Sequence, residues 1–158
     1  DSVMSATRES WDGHMNVNLR APFVLIQSFA RALPPALDGN VINIIDQRVW
    51  NLTPDFVSYS LSKAGLWTLT RTTALALAPR IRVNAIGPGP TLPSPRQDEA
   101  DFERQKQAMP LGRGASPREI SDAVAFILAA PAMTGQMIAL DGGQHLGWAH
   151  PGAADIVE

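Results

Sequence analysis

Tyr59 and Lys63 are the first residues of this chain whose types and spacing suggest chemistry. Tyr59 is the single tyrosine among 158 residues, and Lys63 is one of two lysines. Residues four apart lie on the same face of a helix, so the two side chains would point the same way. An ammonium group beside a phenol favours the phenolate, which would let a tyrosine with an ordinary pKa of about 10 exchange protons near neutral pH. The alternative is a chance spacing on a solvated helix face.

The hydrophobic pattern predicts the elements that would have to position this pair. Apolar residues at helical spacing predict a helix over residues 11–33, and a run rich in Ala and Leu predicts one over residues 58–78. A charged helix is expected over residues 98–109 and a fourth helix over residues 116–128. Short apolar runs predict strands over residues 41–45, 81–86 and 136–140. The fourth helix has a typical start, because Ser116, Pro117 and Glu119 suit the N-cap, the first and the third helical positions.

Buried-type strands that alternate with helices predict an α/β fold, with one doubly wound parallel sheet and a single domain over residues 1–158. In such sheets the ligand crevice lies at the carboxyl ends of the strands. Asp46, the turn at residues 87–90 and the Asp-Gly-Gly turn at residues 141–143 all follow strands. We therefore expect them to meet at that edge, close to the start of the helix that carries Tyr59.

A proline-rich stretch interrupts the alternation after the second strand. Its prolines forbid regular structure, so residues 90–116 are predicted to form a substrate lid around one short helix. Residues 144–158 show no clear period and are predicted to form a C-terminal tail. The side chains expected to line a pocket near the crevice are Trp50, Pro90 and Met109.

Composition argues against several functional classes. The 13 basic and 15 acidic residues nearly balance, and the basic ones are scattered, so nothing suggests binding to nucleic acid or to an anionic membrane. No apolar run reaches the roughly 20 residues of a spanning helix. Cysteine is absent, which excludes disulfides and cysteine-bound zinc and makes the cytoplasm the expected compartment. His14, His145 and His150 lack ligand spacing, so no metal site is predicted and surface or packing roles are expected.

Six short motifs, taken in order, resemble the short-chain dehydrogenase/reductase family. They lie at residues 16–19, 41–44, 59–64, 81–86, 88–89 and 134–143. The resemblance implies a Rossmann-type fold and an oxidoreductase that uses a nicotinamide cofactor and a small-molecule substrate. It also implies a homodimer or homotetramer packed through the long helices.

The same resemblance implies a role for individual residues. Tyr59 would be the general acid that protonates the substrate, and Lys63 would bind the nicotinamide ribose and tune Tyr59. Asn18 would hold a water that links the lysine to solvent. Pro22 supplies a physical reason, since it has no N–H to donate to the carbonyl of Asn18. The turn after the second strand would contact the nicotinamide end of the cofactor through Pro88, Gly89, Thr91 and Leu92.

Asp46 departs from the usual family pattern, in which a serine thirteen residues before the tyrosine donates to a substrate carbonyl. A carboxylate only accepts hydrogen bonds, so it suits a substrate that has N–H donors and is reduced at a C=N bond. In this respect the chain resembles the pteridine and dihydromonapterin reductase branch, which reduces pterins or dihydrofolate with NADPH. The alternative is that Asp46 merely caps the next turn and the enzyme reduces a ketone, as 3-oxoacyl-carrier-protein reductases do.

The family's glycine-rich cofactor turn has no counterpart in these residues. We therefore expect the chain to be the C-terminal portion of a longer protein, whose upstream residues decide between NADPH and NADH. A second alternative is a non-catalytic oligomerisation fragment that has kept the helices.

Overall fold

A parallel sheet forms the centre of the part of the chain that the structure, a computed structural model, describes, namely residues 1–94 and 97–147. In sheet order, the strands are β1 (Gly39–Ile44), β2 (Ile81–Pro88) and β3 (Met137–Leu140). β1 is paired with β2 in parallel from Gly39 opposite Ile81, and β2 with β3 from Ala85 opposite Met137. The predicted parallel sheet is confirmed, and the carboxyl ends of its strands lie at one edge.

Helices cover both faces of this sheet. The described helices are α1 (Arg8–Met15), α2 (Ala21–Ala32), α3 (Val57–Leu77), α4 (Glu99–Gln107) and α5 (Pro117–Ala129), of which α2, α3 and α5 contact the strands. Alternate residues of β2 face opposite sides. Val83 packs with Ala74 of α3, whereas Asn84 donates a hydrogen bond to the carbonyl of Met133, just after α5. The doubly wound arrangement is confirmed, and α3 is the helix that presents Tyr59 to the carboxyl edge.

The helix predicted over residues 11–33 is present, because residues 8–32 are helical without a break, but it is not regular. A π-helical turn, Asn16–Arg20, separates α1 from α2, and in it the N–H of Ala21 bonds a carbonyl five residues earlier. Pro22 explains the change, because it has no N–H to donate four residues back to Asn18 and the wider turn accommodates the missing bond. The π turn therefore lies at the asparagine that the family resemblance marks as functional.

The other elements follow the predicted order. β2 runs two residues further than predicted, to Pro88, and the helix bounds differ by one or two residues. The predicted start of α5 is confirmed as a capping box. Ser116 Oγ accepts a hydrogen bond from the Glu119 N–H at 3.2 Å, and Glu119 Oε2 accepts one from the Ser116 N–H at 2.8 Å.

Some predicted features lie outside the described residues. These are residues 148–158 of the predicted tail, with His150, and residues 95 and 96 of the predicted lid. The first part of the tail is described and contains a short 3₁₀ turn, Gln144–Leu146. Of the helices that the structure describes, none has both the length and the apolar character needed to cross a membrane.

Asn84 is expected to be the polar side chain on which the β2–β3 junction depends. It is fully buried, donates to the Met133 carbonyl at 2.8 Å and accepts from the Gln136 N–H at 3.0 Å. Asn84→Ala leaves both backbone groups without their partner, so we expect the free energy of unfolding in urea to fall by about 2–3 kcal/mol. Asn16→Ala is the matched control, because that side chain is exposed, and it should change the value by less than about 0.5 kcal/mol. Equal effects of the two substitutions would contradict the assignment.

Candidate active site

A hydrogen bond between Tyr59 and Asp46 forms the centre of the site. Asp46 lies two residues past the end of β1, and Tyr59 lies in the first turn of α3. The Tyr59 hydroxyl donates to Asp46 Oδ2 at 2.7 Å. The structure thus brings together the two residues that the sequence analysis marked for separate reasons, one for its spacing and one for its departure from the family pattern.

Both carboxylate oxygens of Asp46 are engaged. Oδ1 accepts a hydrogen bond from the Arg48 N–H at 2.8 Å and caps the short 3₁₀ turn Gln47–Val49. The alternative role of a turn cap is therefore real, but it uses only one oxygen. The other oxygen faces the phenol, which a simple cap does not require.

The environment of Tyr59 raises its pKa well above the ordinary value. Burial of the side chain is the largest cause, and the negative charge and hydrogen bond of Asp46 add to it, while Arg48 opposes it. The direction is opposite to the one predicted from the spacing of Tyr59 and Lys63. Tyr59 is therefore a phenol that keeps its proton throughout the neutral range.

Lys63 is near Tyr59 but does not bond its hydroxyl. Its Nζ lies 5.8 Å from the centroid of the Tyr59 ring and donates to the carbonyl of Ile44 at 3.0 Å. Burial lowers the pKa of Lys63, partly offset by the charge of Asp46. The end of β1 thus anchors the lysine on the same side of α3 as the tyrosine.

Asn18 joins the same turn of α3 through a residue that the sequence analysis missed. Its Nδ2 donates to Ser62 Oγ at 3.0 Å, and Ser62 Oγ donates to the carbonyl of Tyr59 at 2.7 Å. Ser62 is fully buried. The position of Ser62 between Tyr59 and Lys63 on a helix was the sequence signal that could have indicated this role. Its partner Asn18, however, lies 44 residues away in the sequence. Asn18 and Lys63 also line a cavity of about 430 Å³ between α2 and β1.

The predicted cofactor turn follows β2 directly. The N–H of Gly89 donates to the carbonyl of Leu140 at 3.0 Å, and a Cβ at Gly89 would lie only 2.7 Å from Cα of Asp141. Glycine is therefore required by the close approach of two backbones. Thr91 Oγ1 donates to the carbonyl of Gly89 at 3.0 Å, and the Leu92 side chain is exposed. Pro88, the last residue of β2, places this turn at the same sheet edge as Asp46.

Trp50, predicted to line the substrate pocket, is partly exposed and has a specific neighbour. Its ring meets the ring of His145 edge to face, with centroids 5.4 Å apart. His145 Nδ1 lies 2.8 Å from Oδ2 of Asp141, which is buried at the end of β3. The histidine thus has the packing role that was expected, and it ties the Trp50 loop to the segment after β3.

Pro90 and Met109, also predicted to line the pocket, lie where the predicted lid packs on the end of β3. Both are buried. A Cβ at Gly114 would collide with the carbonyl of Pro90, and one at Gly142 would lie 3.2 Å from Cβ of Met109. The two ends of the lid segment are therefore closed on each other. Residues 1–94 and 97–147 hold no group of three metal-ligating side chains.

Comparison with known proteins gives consistent matches. A family model described as enoyl-(acyl carrier protein) reductase matches residues 1–145. Human dehydrogenase/reductase SDR family member 4 is 30% identical over 149 residues, which cover 90% of this chain and 54% of that protein. The 3-oxoacyl-[acyl-carrier-protein] reductase FabG of Thermotoga maritima is 34% identical over 141 residues, which cover 85% of this chain and 57% of that protein. The chain thus spans a little over half the length of these curated relatives.

Two solved structures are more similar. The crystal structure of FolM alternative dihydrofolate reductase 1 from Brucella suis in complex with NADP has a TM-score of 0.92 and 54% sequence identity. The match covers 96% of this chain and 61% of that one. The corresponding protein from Brucella canis, complexed with NADP, has a TM-score of 0.93 at 54% identity, with 97% and 61% of the two chains covered.

Removal of the Asp46 charge is expected to lower the pKa of Tyr59 while burial keeps it above the ordinary value. Asp46→Asn is compared with the wild type by following the ¹³C signal of tyrosine Cζ against pH, with the signal assigned through Tyr59→Phe. Asp55→Asn is the matched control, because it removes an exposed carboxylate from the same loop.

The raised pKa of Tyr59 also makes the stability of the fold depend on pH. Because folding raises the pKa of Tyr59, the folded state holds this proton more tightly than the unfolded state. The stabilisation is complete below about pH 10 and is lost as the pH rises through the folded-state pKa. The alkaline loss should be smaller in Asp46→Asn, and an unchanged Tyr59 titration in that variant would contradict the arrangement.

Proposed function

Because this chain belongs to the short-chain dehydrogenase/reductase family, we propose that it carries the catalytic and substrate-binding part of an NADPH-dependent reductase. The substrate we propose is a pterin or dihydrofolate, reduced at a C=N bond. The observation that carries the proposal is the hydrogen bond of 2.7 Å between Tyr59 and Asp46. The alternative dihydrofolate reductases of Brucella, each complexed with NADP, support it at 54% identity.

Asp46 suits the nitrogen-rich edge of such a substrate. A carboxylate accepts hydrogen bonds, and an aminopyrimidine ring presents N–H and NH₂ donors side by side. Asp46 is half-buried, so these bonds would form where water competes less. We propose that Trp50 provides an adjacent flat surface for the ring and that residues 90–116 form the lid, with Pro90 and Met109 at its base.

Tyr59 is the proposed proton donor. Reduction of a C=N bond adds hydride to carbon and a proton to nitrogen, and the phenol of Tyr59 carries a proton at neutral pH. Because the charge of Asp46 contributes to the raised pKa of Tyr59, exchange of the Tyr59–Asp46 bond for bonds to the substrate would make the phenol a stronger acid. Lys63 holds the ribose in this proposal. The side chain of Asn18, in the π turn, donates to Ser62, which bonds the carbonyl of Tyr59, so Asn18 is linked to the start of α3 that carries Tyr59 and Lys63.

The residues of the carboxyl edge fit a nicotinamide cofactor. Lys63 Nζ lies at the carbonyl of Ile44, the last residue of β1, and Gly89 opens the turn after β2. We propose that Lys63 and Tyr59 hold the ribose, and that Pro88, Gly89, Thr91 and Leu92 hold the nicotinamide end. NADPH, when bound, supplies the hydride. The preference for NADPH over NADH is supported by the NADP complexes of the Brucella proteins.

The open edge of β1 supports a further part of the proposal. β1 is an edge strand of the described sheet, and the cavity beside it contains Asn40, whose side-chain amide is buried without a hydrogen-bond partner. An unpaired strand edge beside an apolar cavity is a typical position for another strand. We propose that the strands and the glycine-rich turn that bind the dinucleotide lie outside these 158 residues and pair there.

Ketone reduction is the second candidate, favoured by the similarity to 3-oxoacyl-[acyl-carrier-protein] reductases. The two candidates make different demands on Asp46. A ketone needs a hydrogen-bond donor, which serine provides and a carboxylate does not. A pterin needs the acceptor.

The substitution Asp46→Ser separates the two candidates in the full-length protein with NADPH. If Asp46 binds the N–H groups of a pterin, kcat/KM for a dihydropterin should fall by about 10- to 100-fold, the effect of losing a charged hydrogen bond. Turnover of a simple 3-oxoacyl ester should stay the same or rise. The rate of NADPH oxidation measures turnover of the dihydropterin and of the 3-oxoacyl ester.

Two comparisons complete this test. Tyr59→Phe should abolish most turnover of either substrate, and Asp55→Ser should affect neither. Wild-type turnover of the ketone without turnover of the dihydropterin would refute the pterin proposal. Equal losses on both substrates in Asp46→Ser would argue against N–H recognition.

We also propose that the protein is a homodimer or homotetramer packed through α2 and α3. Leu75 is 84% exposed on α3, and Leu61 lies half-exposed on the same helix, so both are available for contact with a second copy of the chain. Leu75→Lys should shift the mass measured by light scattering towards the monomer. Leu52→Lys, at a leucine of similar exposure (73%) in a loop, is the control and should leave the mass unchanged. An unaltered mass in Leu75→Lys would contradict this interface.

A further inference from the structure

The first turn of α3 is held by residues from the start of the chain. Phe56, the residue before the helix, has a left-handed backbone (φ 61°) and offers no side-chain cap. Instead, the carbonyl of Asp1 accepts the N–H groups of Phe56 at 2.6 Å and Val57 at 3.4 Å. These are donors that a helix start otherwise leaves unsatisfied. Asp1 thus serves as the cap of the helix whose first turn carries Tyr59.

The side chain of Asp1 continues this contact into the helix. Its Oδ2 accepts hydrogen bonds from the hydroxyls of Ser10, at 2.9 Å, and of Ser58, and Ser58 is fully buried. His14 Nδ1 lies 2.7 Å from the same Ser58 oxygen. Because a carboxylate only accepts, the Ser58 proton is directed to Asp1 and the serine oxygen accepts from His14. The imidazole is therefore oriented by a chain of two hydrogen bonds.

His14 presents its ring to the ring of Tyr59. The centroids are 5.7 Å apart and the planes are inclined by 76°, the edge-to-face geometry that aromatic pairs prefer. Asp46 holds the hydroxyl of Tyr59 and Lys63 lies by its ring. His14 lies on α1, whereas Asp46 lies in the loop after β1 and Lys63 on α3 itself, so the contact with His14 holds the ring from a third element.

We propose that His14 is a positioning residue for Tyr59: its ring holds the phenol in line with Asp46, and Ser58 and Asp1 hold the imidazole. The inference rests on the proposed function, since it takes Tyr59 as the proton donor. No proton passes through His14 in this proposal. Its effect is to restrict the orientation of the group that reacts, and loss of orientation alone lowers a rate by tenfold or more.

Two substitutions of His14 separate the effect of its ring on Tyr59 from the effect of its hydrogen bond with Ser58. His14→Phe keeps an aromatic ring against Tyr59 but loses the bond to Ser58. His14→Asn keeps an N–H donor but loses the ring. We expect His14→Asn and His14→Ala to shift the aromatic ¹H–¹³C signals of Tyr59, assigned through Tyr59→Phe, and to broaden or average its ring signals. His14→Phe should leave a single, sharp set of Tyr59 ring signals.

Kinetics of the full-length protein provide the second readout. With a dihydropterin and NADPH, His14→Ala and His14→Asn should lower kcat by about tenfold with KM changed less than twofold, and His14→Phe should recover kcat to within about threefold of the wild type. A structural role alone would not give recovery by a ring that cannot bond Ser58. Recovery by His14→Asn instead of His14→Phe would overturn the proposal.

The test remains decisive if one variant fails to fold or if the substrate is wrong. Should His14→Ala not fold, the comparison of the Phe and Asn variants gives the same answer. Should the wild type not reduce a dihydropterin, the proposed function fails, while the Tyr59 signals still report the effect of His14. Unchanged Tyr59 signals in both His14→Ala and His14→Asn would refute the positioning role whatever the substrate.

Discussion

The hydrogen bond from Tyr59 to Asp46 sets the geometry on which the rest of the site depends. It crosses between the first turn of α3 and the start of the loop after β1, which are separated along the chain by the 3₁₀ turn Gln47–Val49 and by residues 50–56. Burial of the phenol and the nearby carboxylate both keep the proton on Tyr59. The bond therefore fixes at once where the hydroxyl points and in which protonation state it waits.

Each end of this bond is held by a different part of the fold. Asp46 is positioned by β1 and by the 3₁₀ turn that it caps, so its place follows from the register of the sheet. Tyr59 is positioned by α3, whose start is capped by Asp1 and whose next turn is bonded to Asn18 from the π turn. The π turn caused by Pro22 is thus linked to the phenol through Ser62, and a local irregularity becomes part of the site.

Much of this architecture could be predicted from the sequence because its signals are local. Apolar periodicity and the capping residues predicted the order of strands and helices, and the residue type at position 46 singled out Asp46. The contact between Asp46 and Tyr59 was not predictable in the same way, since it depends on how the loop between them folds. The roles of Ser58 and Ser62 were missed because their partners, His14 and Asn18, are 44 residues away in the sequence. The pKa of Tyr59 was predicted in the wrong direction, because spacing revealed Lys63 but not burial.

The geometry of the pair also explains why a carboxylate at position 46 would select a nitrogen heterocycle under the proposed function. The proton of Tyr59 points at Asp46, so it reaches a substrate only if that bond is exchanged for another. A ring with N–H donors can replace the phenol at Asp46 Oδ2 and place its own nitrogen where the released hydroxyl can donate, so that every polar group keeps a partner. A ketone has no donor to give, and reduction would leave the half-buried carboxylate of Asp46 short of a hydrogen bond. Discrimination between the two substrates then arises because the ketone leaves the carboxylate of Asp46 unpaired. Protein sites discriminate most strongly when the wrong substrate leaves a buried polar group without a partner.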